Sequence, residues 1–196
     1  QIDQVAGITW EVSRDFFTAR LAYLSGKTTL SNPDIDGLVA QLAGFGLTEL
    51  AAAIDVNDED SSFMGLALTF DKNDWVAVAE ITRTEVKDSA ISKQNGYYIS
   101  LGHRFGTVTP FVSYEKRDND AKTEIFDLIP VGAPPALVGG VQFVVNRFET
   151  KREAWNLGVR YDFHPSAAFK AQYTKMDDKV NDTDADLLTL GVDLVF

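Results

Sequence analysis

Leu187-Leu188-Thr189-Leu190-Gly191-Val192-Asp193-Leu194-Val195-Phe196 is the stretch on which the fold turns. At period two, Leu188, Leu190, Val192, Leu194 and Phe196 share one face, and Leu187, Thr189, Gly191, Asp193 and Val195 share the other. The first face is wholly apolar. The second carries Thr, Gly and Asp at its centre, which suits contact with water; in a packed core a central Asp would need a partner. Tilted, a run of this length crosses the apolar band of an outer membrane, which takes roughly 9 to 11 residues per strand.

Bulk composition narrows the alternatives. The 196 residues are 45% hydrophobic, yet mean hydropathy is only -0.10, and no run reaches the roughly 18 apolar residues of a transmembrane helix. A chain of this kind spans a membrane only as a closed barrel, the other structure that satisfies every backbone group in lipid. With no cysteine, disulfide frames and thiolate metal sites are excluded. The formal charge of -11 argues against a nucleic-acid partner.

Outward from the closing strand, the same alternation recurs along the chain. It runs through Gln4 to Ser13 (Ala6, Ile8, Trp10 and Val12 on the apolar face) and Asp15 to about Lys27 (Phe17, Ala19, Leu21 and Tyr23, with Thr18, Arg20 and Ala22 opposite). It resumes in Met64 to Phe70, turns at the short polar Asp71 to Asp74, and returns in Trp75 to Thr82, where Val76, Val78 and Glu80 face inward. Tyr97 to Phe105 sets Ser100, Gly102 and Arg104 inward, and Val108 to Tyr114 follows with Pro110 close to its turn. Trp155 to Phe163 sets Asn156, Gly158, Arg160 and Asp162 inward, and Ala167 to Thr174 sets Lys170 and Gln172 inward. A polar loop from Met176 to Asp184 then leads to the last strand.

Two excursions interrupt this pattern. Asp34 to Ile54 places Leu38, Leu42, Leu47, Leu50 and Ala51 near helical spacing, with Gly44 and Gly46 breaking it into two short helices. It reads either as a surface cap or as a loop folded into the lumen. Asp118 to Lys151 contains Ile129-Pro130-Val131-Gly132-Ala133-Pro134-Pro135, which excludes regular structure there. Its flanks, Thr123 to Leu128 and Val141 to Phe148, alternate and are expected to prolong the neighbouring strands as a hairpin.

Connections alternate between tight turns and longer polar segments, the asymmetry of periplasmic turns against extracellular loops. Aromatic residues gather beside the tight turns: Phe16, Phe17, Phe70, Trp75, Phe105, Tyr161, Phe163 and Phe196. They form an expected interfacial girdle. Inward positions are mostly Gly, Ala, Ser, Thr and charged residues, whereas a soluble sandwich would set bulky residues inward on most strands. The expected fold is therefore all-β, an antiparallel transmembrane barrel with one loop partly helical and about nine strands in residues 1–196, read as one barrel domain. Single-chain bacterial barrels have even strand numbers, so these residues are expected to be the C-terminal part of a larger barrel.

The pairs WVAVAEITR, YYISLGHRFGTVTPFVSYEK and WNLGVRYDFHPSAAFKAQYTK, together with the terminal LGVDLVF, resemble Gram-negative outer-membrane general porins over most of the chain. That resemblance implies a barrel of about 16 strands. It also implies a bacterial outer-membrane location, contact with lipid and lipopolysaccharide, a homotrimer, and passive diffusion of small hydrophilic solutes and ions. It implies that Leu188, Leu190, Val192, Leu194 and Phe196 form the signal read by the barrel assembly machinery. Family constrictions oppose basic wall residues to an acidic loop. Arg20, Arg104, Arg160 and Lys170 are the basic candidates here, and each reads equally as a wall ion pair with Glu80, Glu115 or Asp162. Asp193 is the expected partner of a base beyond the seam.

Catalysis fits poorly. The only imidazoles are His103, expected to face lipid, and His164, in a tight turn, so no nucleophile–base pair is expected. No cofactor is expected either, although Ca²⁺ or Mg²⁺ could sit at acidic loops, at Asp182, Asp184 and Asp186 or around Asp55, Asn57, Asp58, Glu59 and Asp60. Besides a channel, one reading stays open: a non-conducting surface barrel whose long loops bind an extracellular partner.

Overall fold

The computed structural model describes Gln1–Val195; Phe196, the last position of the expected assembly signal, lies outside the described residues. Nine strands form one antiparallel sheet in sequence order: β1 (Ile2–Arg14), β2 (Phe17–Thr28), β3 (Glu59–Lys72), β4 (Trp75–Val86), β5 (Gln94–His103), β6 (Val108–Asn119), β7 (Thr150–His164), β8 (Ala167–Asp178) and β9 (Thr183–Leu194). β1 and β9 are the unpaired edges, so these strands form an open part of a barrel.

Register follows the hydrophobic alternation, because a one-residue slip would turn every side chain to the wrong face. Phe17 pairs with Phe70, Leu21 with Leu66, Leu66 in turn with Ile81, and Tyr173 with Leu188. Tight turns hold these registers. Asn73 and Asp74, at φ 52° and 67°, adopt the paired left-handed conformation that matches strand twist in a two-residue hairpin. The two faces of the open sheet differ in exposure. Small or polar residues on the polar face are buried by their neighbours (Ala22 7%, Asn156 4%, Ala168 1% exposed), whereas the apolar face lies open (Ile8 71%, Leu157 65%, Leu188 67%). Such a distribution suits lipid outside and water within.

At the end opposite the tight turns, α1 (Pro33–Gly44), α2 (Thr48–Ile54), a 3₁₀ turn (Thr123–Leu128) and α3 (Pro135–Asn146) pack on one another. Asn32 caps α1 by accepting the Asp34 and Ile35 N–H groups. Leu42, Ile54, Val141 and Val145 are fully buried in their shared core. Lys122 pins this cap to the rim, its Nζ donating to the carbonyls of Val86 at 3.1 Å and Ser89 at 2.8 Å, and burial lowers its pKa below the ordinary lysine value. Of the two placements open for Asp34–Ile54, packing follows the cap.

Three expectations are corrected. Thr123–Leu128 and Val141–Phe148 do not prolong the strands: the first is a 3₁₀ turn and the second lies largely in α3. Val141, Phe143 and Val145 alternate, but Leu137, Val141, Val144 and Val145 also recur at helical spacing, and it is the helical set that is buried. The polar segment Met176–Asp184 contracts to Lys179–Asp182, since β8 and β9 pair up to Asp178 opposite Thr183. Asp71 belongs to β3, opposite Val76, and not to a turn.

Candidate functional site

The polar face carries the charged groups in tiers. Near the tight turns, Arg160 on β7 donates to Asp162 (Nε to Oδ1, 2.8 Å) and reaches Asp193 on β9 (Nη1 to Oδ2, 3.1 Å). Lys170 on β8, directly opposite Arg160, contacts the same Asp193 oxygen at 2.6 Å. Gly191 stands opposite Lys170 and has no side chain in the way. Asp193 therefore finds two bases, Arg160 and Lys170, on β7 and β8 of this chain. Beside this group, Arg104 grips Asp71 through both guanidinium ends, at 2.7 and 2.6 Å.

One tier higher the wall is neutral. Asn156 donates to the Ser113 hydroxyl at 3.1 Å and accepts from Gln172 at 2.9 Å and from Thr174 at 2.6 Å, a polar ladder across β6, β7 and β8. Nearby, Phe111 lies over Gly158, where a Cβ would come within 2.2 Å of its ring. Of the acidic partners anticipated for the basic residues, only Asp162 is used. Glu80 and Glu115 flank Tyr98 in register, and Arg20 stands between Glu11 and Ala67, without ion pairs among the described residues.

Extension of β6 and β7 beyond their apolar stretches creates a tier that alternation alone does not reveal. Arg117 and Arg152 stand directly opposite each other on the polar face, and Arg152 bonds Asp178 at 2.8 Å. Asp178 lies at the loop end of β8, beyond the apolar stretch. The Arg152 guanidinium and then the Asn181 amide hold its carboxyl down at about 2.

On the outer face the aromatic residues meet at the tight-turn end. Trp75 packs on His103 at 4.6 Å between centroids, His103 on Phe105 at 4.5 Å, Phe16 on Phe70 at 5.3 Å and Tyr161 on Phe163 at 6.2 Å, while Phe17 pairs with Phe70 across the strands. Leu188, Leu190, Val192 and Leu194 project from the same face of β9. Asp184 and Asp186 lie in β9, opposite Asp177 and Lys175, and Asp186 accepts the Tyr173 hydroxyl at 2.7 Å; Asp182 is in the preceding turn. Among the described residues no three His, Asp or Glu side chains converge to hold a metal ion.

Comparison with known proteins agrees with this architecture. The family model for Gram-negative porins matches residues 3–193. No curated protein sequence matches the chain. Similar solved structures include the outer-membrane-expressed OmpT of Vibrio cholerae (TM-score 0.58, 11% identity, 97% of this chain and 55% of that one). Others are OccD3 of Pseudomonas aeruginosa (0.55, 12%, 96% and 48%) and a porin refined at 1.8 Å resolution (0.53, 14%, 95% and 50%). The chain thus spans about half the length of each of these structures.

Proposed function

Because this chain belongs to the Gram-negative porin family of the bacterial outer membrane, we propose that it forms the wall of a water-filled channel for passive diffusion of small hydrophilic solutes and ions. The observation that carries this reading is the polar face: charged side chains in tiers, two-fifths to one-half exposed, on the face that the sheet curves around. Exposed ion pairs of this kind contribute little stability, at most about 1 kcal/mol each. Their value lies in the field along a channel, where rings of charge select among ions.

The edges β1 and β9 cannot face lipid unpaired, so the channel closes through strands other than these nine, and the nine serve as part of a larger barrel. We assign lipid and lipopolysaccharide to the outer face, recognition by the barrel assembly machinery to the β9 apolar row, and a homotrimer as the working assembly. No catalytic step is part of this reading. His103 is packed between Trp75 and Phe105, and His164 Nδ1 accepts the Ser166 backbone N–H at 3.1 Å. No cofactor is assigned.

Single-channel recording in planar bilayers tests the proposal. The protein should conduct in KCl, and Arg160→Glu or Arg104→Glu should move its reversal potential in a salt gradient toward cation preference. A folded barrel without current would overturn it. The second reading, a surface barrel that binds through its loops, draws on the cap, whose Phe45, Val131 and Phe143 are exposed. Deleting Pro130–Gly140 should then abolish binding and leave conductance intact.

A further inference from the structure

On the polar face of β1 to β5, near the cap, the wall is unexpectedly apolar. Ile2, Val5, Leu24, Phe63, Val86 and Ile91 line a cavity of about 390 Å³, within the range typical of small-molecule sites. Its construction is local and specific. Ile2 and Val5 are three residues apart, and strict alternation would send them to opposite faces. A bulge between Asp3 and Ala6, with Gln4 at φ 52°, sets Gln4 and Val5 against the single residue Gly26 and brings Val5 to the same face as Ile2. A Cβ on Gly26 would lie 3.0 Å from the Asp3 carbonyl oxygen and 3.4 Å from a methyl of each, so the missing side chain lets the bulged backbone come close.

This cavity shares Thr84 and Gln94 with a second, polar one of about 240 Å³, which is lined also by Arg117, Asn119 and Thr150. Arg117 is an unusual neighbour. It stands opposite Arg152, and like charges directly across a strand pair are destabilising. Asp178 neutralises Arg152, while Asp118 and Glu153 both bind Lys116 on the other face. Glu115 lies two residues away from Arg117 on the same face and forms no ion pair with it among the described residues. The Arg117 fork is left for an anion, and a carboxylate is the group that it matches in shape.

Resting on the channel reading above, the geometry points to a solute subsite for small organic monoanions that join a carboxylate to an apolar ring or chain. The carboxylate binds Arg117, with Gln94 and Thr84 at the junction of the two cavities. The apolar part lies on Leu24 and Phe63, the apolar residues of the first cavity that face this junction. A solute of this kind relieves both anomalies of the wall at once: apolar surface that otherwise faces water, and an Arg117 guanidinium with no ion-pair partner among the described residues.

The test uses the whole protein, in detergent micelles and in planar bilayers, with phenylacetate, acetate and phenethylammonium as probes. Calorimetric titration in micelles should show phenylacetate binding at least tenfold more tightly than acetate or phenethylammonium, a difference of about 1.4 kcal/mol. Arg117→Gln should weaken phenylacetate by about tenfold and Arg117→Lys by less, given the strength of charge-assisted pairs. Glu115→Gln should tighten it. Phe63→Ser, which removes the apolar contact beside Thr84 and Gln94, should weaken phenylacetate and spare acetate. In bilayers, phenylacetate should interrupt the KCl current of the parent protein and not that of Arg117→Gln. Equal affinity for phenylacetate and acetate, or an unchanged affinity in Arg117→Gln, would overturn the subsite. Loss of KCl current with titration unaltered would instead overturn the channel and leave the subsite standing.

Discussion

The nine-stranded wall and the helical cap place apolar side chains by opposite rules. In the cap, Leu42, Ile54, Val141 and Val145 are withdrawn completely from solvent and touch one another, as in any water-soluble core. In the wall, Leu157, Leu188 and Leu190 are about two-thirds exposed and small residues fill the other face. The comparison shows that side-chain burial is not what orders the wall. Its order comes from the backbone ladders that join each strand to the next, with lipid supplying the apolar contacts.

Truncating one leucine in each region gives the largest contrast. Leu42→Ala leaves a cavity that its neighbours fill only partly and should destabilise the cap by about 2–5 kcal/mol, read as faster proteolysis of the Thr29–Asp58 segment. Leu190→Ala should cost less, because lipid closes the gap and only the transfer term of about 0.8 kcal/mol per methylene is lost. Equal costs in the two regions would break the comparison.

Next in size is a charge placed on each face of one strand. Leu190→Arg puts a cation into lipid and should destabilise the barrel by about 2–4 kcal/mol, whereas Thr189→Arg points to water and should be near neutral. Denaturant unfolding of the reconstituted protein separates the two. A smaller effect comes from acid. Because the Asp178 pKa is depressed to about 2, the group stabilises the rim at any pH above its unfolded value near 4. That contribution is lost as pH falls through 2. Asp178→Asn should therefore lower the melting temperature at pH 6, and the gap from the parent should shrink between about pH 4 and pH 2.

The wall is legible from residue order because each strand states its own register: Leu188, Leu190 and Val192 alternate with Thr189, Gly191 and Asp193 without reference to anything distant. The lower charged tier is legible for the same reason, since Arg160, Lys170 and Asp193 interrupt clear alternation. Arg117 and Arg152 are not. They lie where β6 and β7 run on beyond the lipid band, between Lys116 and Asp118 and between Lys151 and Glu153, so both faces are polar and the period-two signal vanishes while the backbone ladder continues. α3 is hidden differently: Val141, Phe143 and Val145 satisfy a strand pattern as well as Leu137, Val141, Val144 and Val145 satisfy a helical one.

By itself, the order of residues determined that this protein spans an outer membrane as strands, which face meets lipid, and which connections are tight. Those are consequences of nearest-neighbour chemistry repeated every second residue. Tertiary structure decided that the two long excursions join in one cap, that Asp193 serves Arg160 and Lys170, and that a bulge at Gln4 gathers Ile2 and Val5 beside Gly26. Each of these depends on which distant backbone lies alongside, a pairing that a local pattern permits and only the assembled ladder selects.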